Sequence, residues 1–438
     1  MTKKKIRKRD RDAIIQSLRA GVTPTKGLQY IQVGRVKEVQ ALIKDLDRIA
    51  DGGSAFRLII GEFGAGKTFF LHLVKTIALE KNLVVASADL SPDRRLYASK
   101  GQARSLYREL MKNLSTKTRP DGNALVSVVE KFISRARAEA SECDKPVKSI
   151  ISGRLKALTN YVGGYDFASI IDAYWEGYNS DDEEAKSSAI QWLRAEFATR
   201  TDARKALGVR TIIDDNNAYD HLKLMSLFLR QAGYSGFLVN LDEMVNLYKL
   251  SHTKARSSNY EQILRILNDC LQGTISYFGV LMGGTPEFLL DTRKGLYSYE
   301  ALQSRLSENT FSKSSGIVDY DSPSLHLNNL RPEDLFLLLQ NIRDVFAYYD
   351  ESKYLISDEG IKAFMMHCDK RIGSAYFKTP RNSIKAFSDL LSLLDQNPDI
   401  SWDSIIQDVK IKHEKNTESL TLLEAESVDD DELTSFKL

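Results

Sequence analysis

The sequence predicts an α/β fold: a parallel sheet with helices on it, a long helical insertion at about 91–231, and a C-terminal helical domain. Three observations predict it. Short runs of Val, Ile, Leu and Phe have the apolar content of buried strands; a glycine-rich turn joins the first of them directly to a helix; and from Ser91 to about Gln231 helical periodicity takes over with no β-rich run. The 438 residues allow two or three domains, at roughly 100 to 200 residues each. Hydrophobic residues at 42%, with 25 Gly and 9 Pro, exclude a collagenous or low-complexity chain and supply an ordinary core.

In chain order, Arg11 to Leu18 reads as a short amphipathic helix, closed by the Gly21, Pro24, Gly27 punctuation. Val39, Leu42, Ile43, Leu46 and Ile49 then fall at helical spacing within Val36 to Ile49, and Asp51-Gly52-Gly53 ends that helix. Phe56 to Ile60 reads as a buried strand, Gly61 to Gly66 as a turn, Thr68 to Glu80 as a helix and Leu83 to Asp89 as a second strand. Strand, turn, helix and strand in so few residues imply a parallel βαβ unit. Within the insertion, helices are expected over Leu106 to Leu114, Leu125 to Ala138, Phe167 to Tyr174, Ala185 to Phe197 and Tyr219 to Gln231. Gly236 to Leu241 and Tyr277 to Met282 resume the sheet around a helix at Tyr260 to Leu271. Beyond about Leu325 the pattern is helical again: Pro332 to Ala347, Ser357 to Cys368, Pro380 to Leu394 and Trp402 to Val409. The expected domains are a basic arm and helix at 1–29, an α/β domain at 30–325, a helical lid or winged-helix-like domain at 326–411 and an acidic disordered tail at 412–438.

The sharpest motif is Gly61-Glu62-Phe63-Gly64-Ala65-Gly66-Lys67-Thr68, followed by Phe69, a full G-x-x-x-x-G-K-[ST]. Glycines let successive backbone N–H groups face a phosphate, the next helix presents its positive end, Lys67 reaches the β and γ oxygens, and the Thr68 hydroxyl ligates Mg²⁺. The second half of an ATP and Mg²⁺ site is an acid at the end of a neighbouring strand. Asp242 and Glu243 supply it, Asp242 holding Mg²⁺ through water and Glu243 polarising the attacking water. Thr285 follows the strand ending at Met282 and is either a γ-phosphate sensor or part of a tight Gly283-Gly284-Thr285-Pro286 turn. Arg305 is either an arginine finger toward a neighbouring subunit's nucleotide or a surface salt-bridge partner; Arg381 carries the same two readings within its own subunit.

The order P-loop, Asp-Glu, Thr285, Arg305, Arg381 resembles the AAA+ ATPases, in the branch that includes origin-recognition and STAND-type proteins. Val33-Gly34-Arg35-x-x-Glu38 looks like the opening motif of that branch. The resemblance implies that Tyr30, Ile31, Val33 and Arg35 lie at the nucleotide pocket; the alternative is an ordinary capped helix. Lys67 and Asp242 stand 175 residues apart, more than a minimal AAA+ core needs. A closer resemblance accounts for the excess. Leu18-Arg19-x-Gly21-Val22-x-Pro24, Tyr174-Trp175-x-Gly177, Trp192-Leu193-Arg194-x-Glu196, Lys205 to Arg210, Leu241 to Tyr248 and Gly284-Thr285-Pro286-Glu287-Phe288 look like the ATP-binding BrxD-like proteins of bacterial BREX phage-defence islands. This implies a defence ATPase working beside helicase-like or DNA-modifying proteins.

Charge and cysteines bound the alternatives. Residues 1–12 carry seven Lys and Arg against two Asp, and 414–438 carry eight acids against two Lys. The basic arm fits either phosphate contacts to double-stranded DNA or a solvated terminus; the tail fits either a docking segment ending in Phe436-Lys437-Leu438 or a solubilising end. No apolar run reaches the roughly 18 residues of a membrane span, and MTKKKIRKRDRD lacks a signal peptide's apolar stretch, so a cytoplasmic protein without a membrane partner is expected. Cys143, Cys270 and Cys368 have no metal-ligand spacing. The expected function is a Mg²⁺-dependent ATPase that forms a ring or filament and couples nucleotide state to DNA. The alternatives are a nucleotide-gated scaffold or switch with little hydrolysis, and an initiator or helicase loader.

Overall fold

Five parallel strands carry the larger part of the chain. They are β1 (Ser54–Ile60), β2 (Leu83–Asp89), β3 (Gly236–Asp242), β4 (Phe278–Gly284) and β5 (Ser324–His326), hydrogen-bonded in the order β2-β3-β4-β1-β5. The computed structural model describes residues 6–372 and 380–406; the sequence expectations for the acidic tail and for Lys3, Lys4 and Lys5 fall outside them. Contacts divide the chain into one unit of residues 34–328, containing the sheet, and a second of 1–33 together with 329–438.

The strands β1 to β4 are buried on both faces, and their apolar residues alternate between two cores. Phe56, Leu58 and Ile60 of β1, Val84 and Ala86 of β2, and Phe237, Val239 and Leu241 of β3 face one core. Ala55 and Ile59, Leu83 and Val85, and Leu238 face the other, with Leu42, Leu46, Phe70 and Val74 of the helices Val36–Ala50 and Lys67–Glu80. This is the burial expected of a parallel sheet covered by helices on both sides. The chain between β2 and β3 is helical: Gln102–Lys112, Leu125–Cys143, Val147–Leu155, Gly164–Ser180, Glu183–Leu193, Arg200–Leu207 and Ala218–Gln231. Phe132, Phe167, Trp192 and Phe228 of these helices join the first core, so this segment is packed on the sheet rather than built as a separate body.

One buried charge pair crosses the second core's edge. Arg57 of β1 and Asp45 of the preceding helix are each about 3% exposed, joined by Arg57 Nε to Asp45 Oδ2 at 2.6 Å and Nη2 to Oδ1 at 3.2 Å; Arg57 also donates to the Ser322 carbonyl.

The smaller unit is helical among its described residues: Lys8–Arg19, Leu28–Ile31, Pro332–Phe346, Asp358–Ile372, Pro380–Gln396 and Trp402–Ile406. Residues 329–372 and 380–406 contain no strand. The amino-terminal helix groups with the C-terminal helices instead of standing alone. Arg11 lies 4.3 Å over the Phe346 ring and donates to the Phe346 carbonyl, and Arg19 pairs with Asp389 at 3.1 Å. One cation of the basic stretch, Arg11, is thus engaged inside the unit, as is Arg19 beyond it.

Candidate functional site

At the carboxyl end of β1 the chain leaves the sheet at Gly61, whose N–H donates to the Gly284 carbonyl of β4 at 3.1 Å. The loop Gly61 to Gly66 then turns into the helix Lys67–Glu80 through two left-handed glycines, Gly64 at φ 80° and Gly66 at φ 85°. A Cβ on Gly66 would meet nothing within 4 Å, so glycine is required there by backbone conformation rather than by crowding. The β1 end lies between β4 and β5, where ligands bind in open parallel sheets.

The structure brings the two halves of the expected site together. Thr68 Oγ1 donates to Asp242 Oδ2 at 2.7 Å across 174 residues of chain. The Lys67 ammonium is folded back on the loop, donating to the Gly61 carbonyl at 2.8 Å and the Glu62 carbonyl at 3.0 Å. Burial pushes Lys67 below its ordinary value, opposed by the carboxylates of Asp242, Glu243, Glu62 and Glu287.

Asp242 is buried at 8% exposure, whereas the next residue, Glu243, is exposed. A left-handed backbone at Glu243, φ 57°, makes this reversal, and its N–H donates to Asp242 Oδ1 at 2.8 Å. An ordinary residue held in that region is strained, and such strain clusters at functional sites. Behind Asp242 lies Gly283 of β4: a Cβ there would stand 2.4 Å from Asp242 Oδ1. The missing side chain is the space the carboxylate occupies.

The remaining expected residues make contacts of their own. Thr285 accepts the Phe288 N–H at 3.4 Å and caps the short helix Pro286–Leu290. Arg305 donates to the Ala301 carbonyl of its own helix at 2.8 Å and is exposed. Arg35 donates through Nη2 to the Ala65 carbonyl of the loop at 2.7 Å, so its contact is with the loop's backbone. Phe63 is exposed and Phe69 half-buried. Tyr30, Ile31, Val33 and Arg381 belong to the smaller unit; there Ile31 is buried, and Tyr30 lies 6.1 Å from the Tyr349 ring.

Two acids near the site were not singled out by sequence. Asp89 ends β2 in register with Asp242; loss of solvent, then the Asp242 carboxylate, push it above the ordinary value against the pull of Arg94 and His72. Its signal was an acid closing an apolar run, the same signal that marked Asp242. Glu287 follows Thr285 and acts on the Lys67 ammonium.

A hydroxyl and a carboxylate 2.7 Å apart are hard oxygen donors that fit Mg²⁺, which takes few protein ligands and completes its shell with phosphate and water. Among the described residues no group of three or more His, Cys, Asp or Glu could hold a metal by itself. No helix among them is long and apolar enough to cross a membrane. A family model described as BREX system ATP-binding protein BrxC/D matches residues 6–410. No curated protein matches the chain.

Proposed function

Because this chain belongs to the family of BREX system ATP-binding proteins BrxC/D, we propose that it is a Mg²⁺-dependent ATPase of the AAA+ class acting in phage defence. The observation that carries the reading is the 2.7 Å bond from Thr68 to Asp242, with the Lys67 ammonium in the adjoining loop. In this reading the loop's N–H groups and the N-terminus of the helix Lys67–Glu80 hold the phosphates. Lys67 exchanges its two carbonyl partners for β and γ oxygens, whose charge favours the ammonium that partial burial disfavours. Thr68 and Asp242 would hold Mg²⁺, which when bound neutralises charge developing on the phosphate oxygens. Exposed Glu243 accepts a hydrogen bond from the attacking water and orients it in line with the γ-phosphorus.

Nucleotide state is coupled, on this proposal, to assembly into a ring or filament and to association with double-stranded DNA and helicase-like or DNA-modifying partners. A nucleotide-gated switch with little hydrolysis is the second reading. In its favour, the Thr285 hydroxyl accepts the Phe288 N–H as a helix cap, the alternative to sensing the γ-phosphate. Phosphate release and binding of a fluorescent ATP analogue separate the two. Lys67→Ala abolishes both, and Glu243→Gln slows release by about 10² or more with binding kept, in line with loss of general-base assistance; a Glu243→Gln protein at wild-type turnover would refute its role. Wild-type binding without turnover selects the switch. A mobility shift of duplex DNA that weakens with salt supports DNA association, and no shift at low salt excludes it.

A further inference from the structure

We infer that Arg35 is a positioning residue that ties the phosphate-binding loop to both places where the chain leaves the sheet-bearing unit. The chain passes between the units twice, at 33–34 and at 328–329. Arg35 is the second residue inside the first crossing. Its Nη2 donates to the carbonyl of Ala65 in the loop at 2.7 Å and to the carbonyl of Asn328, the last residue before the second crossing, at 3.0 Å. One nitrogen with two hydrogens therefore fixes the loop and the outgoing chain within two bond lengths of each other.

The surroundings make this a built arrangement. Gly34 and Arg35 are both left-handed, at φ 60° and 57°, a conformation that an arginine keeps only where its surroundings fix it. The Arg35 carbonyl accepts the Val39 N–H at 3.0 Å, which anchors the residue to the helix Val36–Ala50. On the other side, the Leu327 N–H donates to the Ile60 carbonyl at 2.7 Å, and a Cβ on Gly61 would lie 3.2 Å from both the Leu327 carbonyl and the Ala65 Cβ. The loop's first glycine, its Ala65 and the exit from β5 are thus packed together, and the guanidinium closes the set. Methionine fills much of the same space but has no N–H, so it satisfies neither carbonyl.

The consequence follows from the loop's own chemistry. Nucleotide binding draws Lys67 off the Gly61 and Glu62 carbonyls, and the loop settles around phosphate. Arg35 passes that change in Ala65 to both crossings, the covalent routes to the smaller unit. This rests on the loop being the ATP site.

The test is amide hydrogen exchange of the full chain with and without Mg²⁺ and a non-hydrolysable ATP analogue. In wild type, nucleotide slows exchange at 61–68 and, with it, at 33–36 and 326–330. Arg35→Met at saturating nucleotide keeps the slowing at 61–68, while that at the crossings falls at least five-fold. Arg35→Ala, which also removes every side-chain N–H, loses it likewise and serves as the readout should Arg35→Met fail to fold. Wild-type slowing at both crossings in either variant overturns the inference and leaves the ATP site standing, as does a wild type whose loop responds while its crossings do not. A wild type with no response at 61–68 refutes the ATP-site reading itself and the inference with it.

Discussion

Replacing Gly283 with alanine puts a methyl carbon 2.4 Å from Asp242 Oδ1, about 1 Å closer than ordinary contact allows. The β4 backbone has little freedom to yield, because it is paired with β1 on one side and β3 on the other. The movable part is the Asp242 carboxylate. A shift of about 1 Å carries its 2.7 Å bond with Thr68 beyond the roughly 3 Å limit of an O–H···O bond. It also disturbs the 2.8 Å bond from the Glu243 N–H that fixes the neighbouring acid. Misplacement by 1 Å at a reacting centre lowers rate about 10²-fold, or about 2.7 kcal/mol in activation free energy. Phosphate release by Gly283→Ala should accordingly fall by about two orders of magnitude, while circular dichroism keeps its native form. Gly279→Ala, four residues earlier on the same strand, is the control: its Cβ meets the flexible tip of Ile49 at 2.3 Å, far from the carboxylate. It should lower the melting temperature through overpacking, at about 1–3 kcal/mol, and leave turnover of the folded protein near wild type. Wild-type turnover in Gly283→Ala, or equal inactivation in folded Gly279→Ala, would refute the claim that this glycine exists to seat Asp242.

Asp45→Asn should destabilise the sheet-bearing unit by about 3–5 kcal/mol, because it leaves the Arg57 guanidinium buried without its counter-charge; chemical denaturation should show the midpoint moving with the slope unchanged. Burial lowers the basicity of His221, which is 2% exposed beside Trp192 and bonded through Nδ1 to the Asn217 carbonyl. The unfolded chain therefore takes up this proton first, so stability is whole above about pH 6.5 and declines as pH falls toward the lower folded-state value. Melting curves from pH 7.5 to 5.5 should show a downward slope that His221→Gln reduces; an identical slope in the variant would exclude His221 as its source.

The strands β1 to β4 and the phosphate loop were legible because their signals are local. Apolar runs of five to seven residues, a glycine spacing and an acid at a strand end each fit in one glance along the chain. Observed bounds such as Leu83–Asp89 match the expectation, and Gly236–Asp242 extends it by one residue. β5 was missed because Ser324–His326 is three residues long and borrows its strand geometry from β1. Arg200–Leu207 was missed because Ala203 alone is buried in it, leaving no apolar stripe to detect. Asp89 carries the same local signal as Asp242, an acid closing an apolar run, but only strand register shows that the two stand side by side.

The order of residues by itself determined that a loop able to hold phosphate follows β1 and that an acid pair closes another strand, since both depend on bonds between near neighbours in the chain. Only the tertiary structure decided which strand lies beside which, that Thr68 meets Asp242, and that Gly283 leaves room for its carboxylate. It also decided that Arg35 holds the loop's backbone. Those contacts join segments far apart in the chain, and they are fixed by the pairing and packing of the sheet rather than by any local preference.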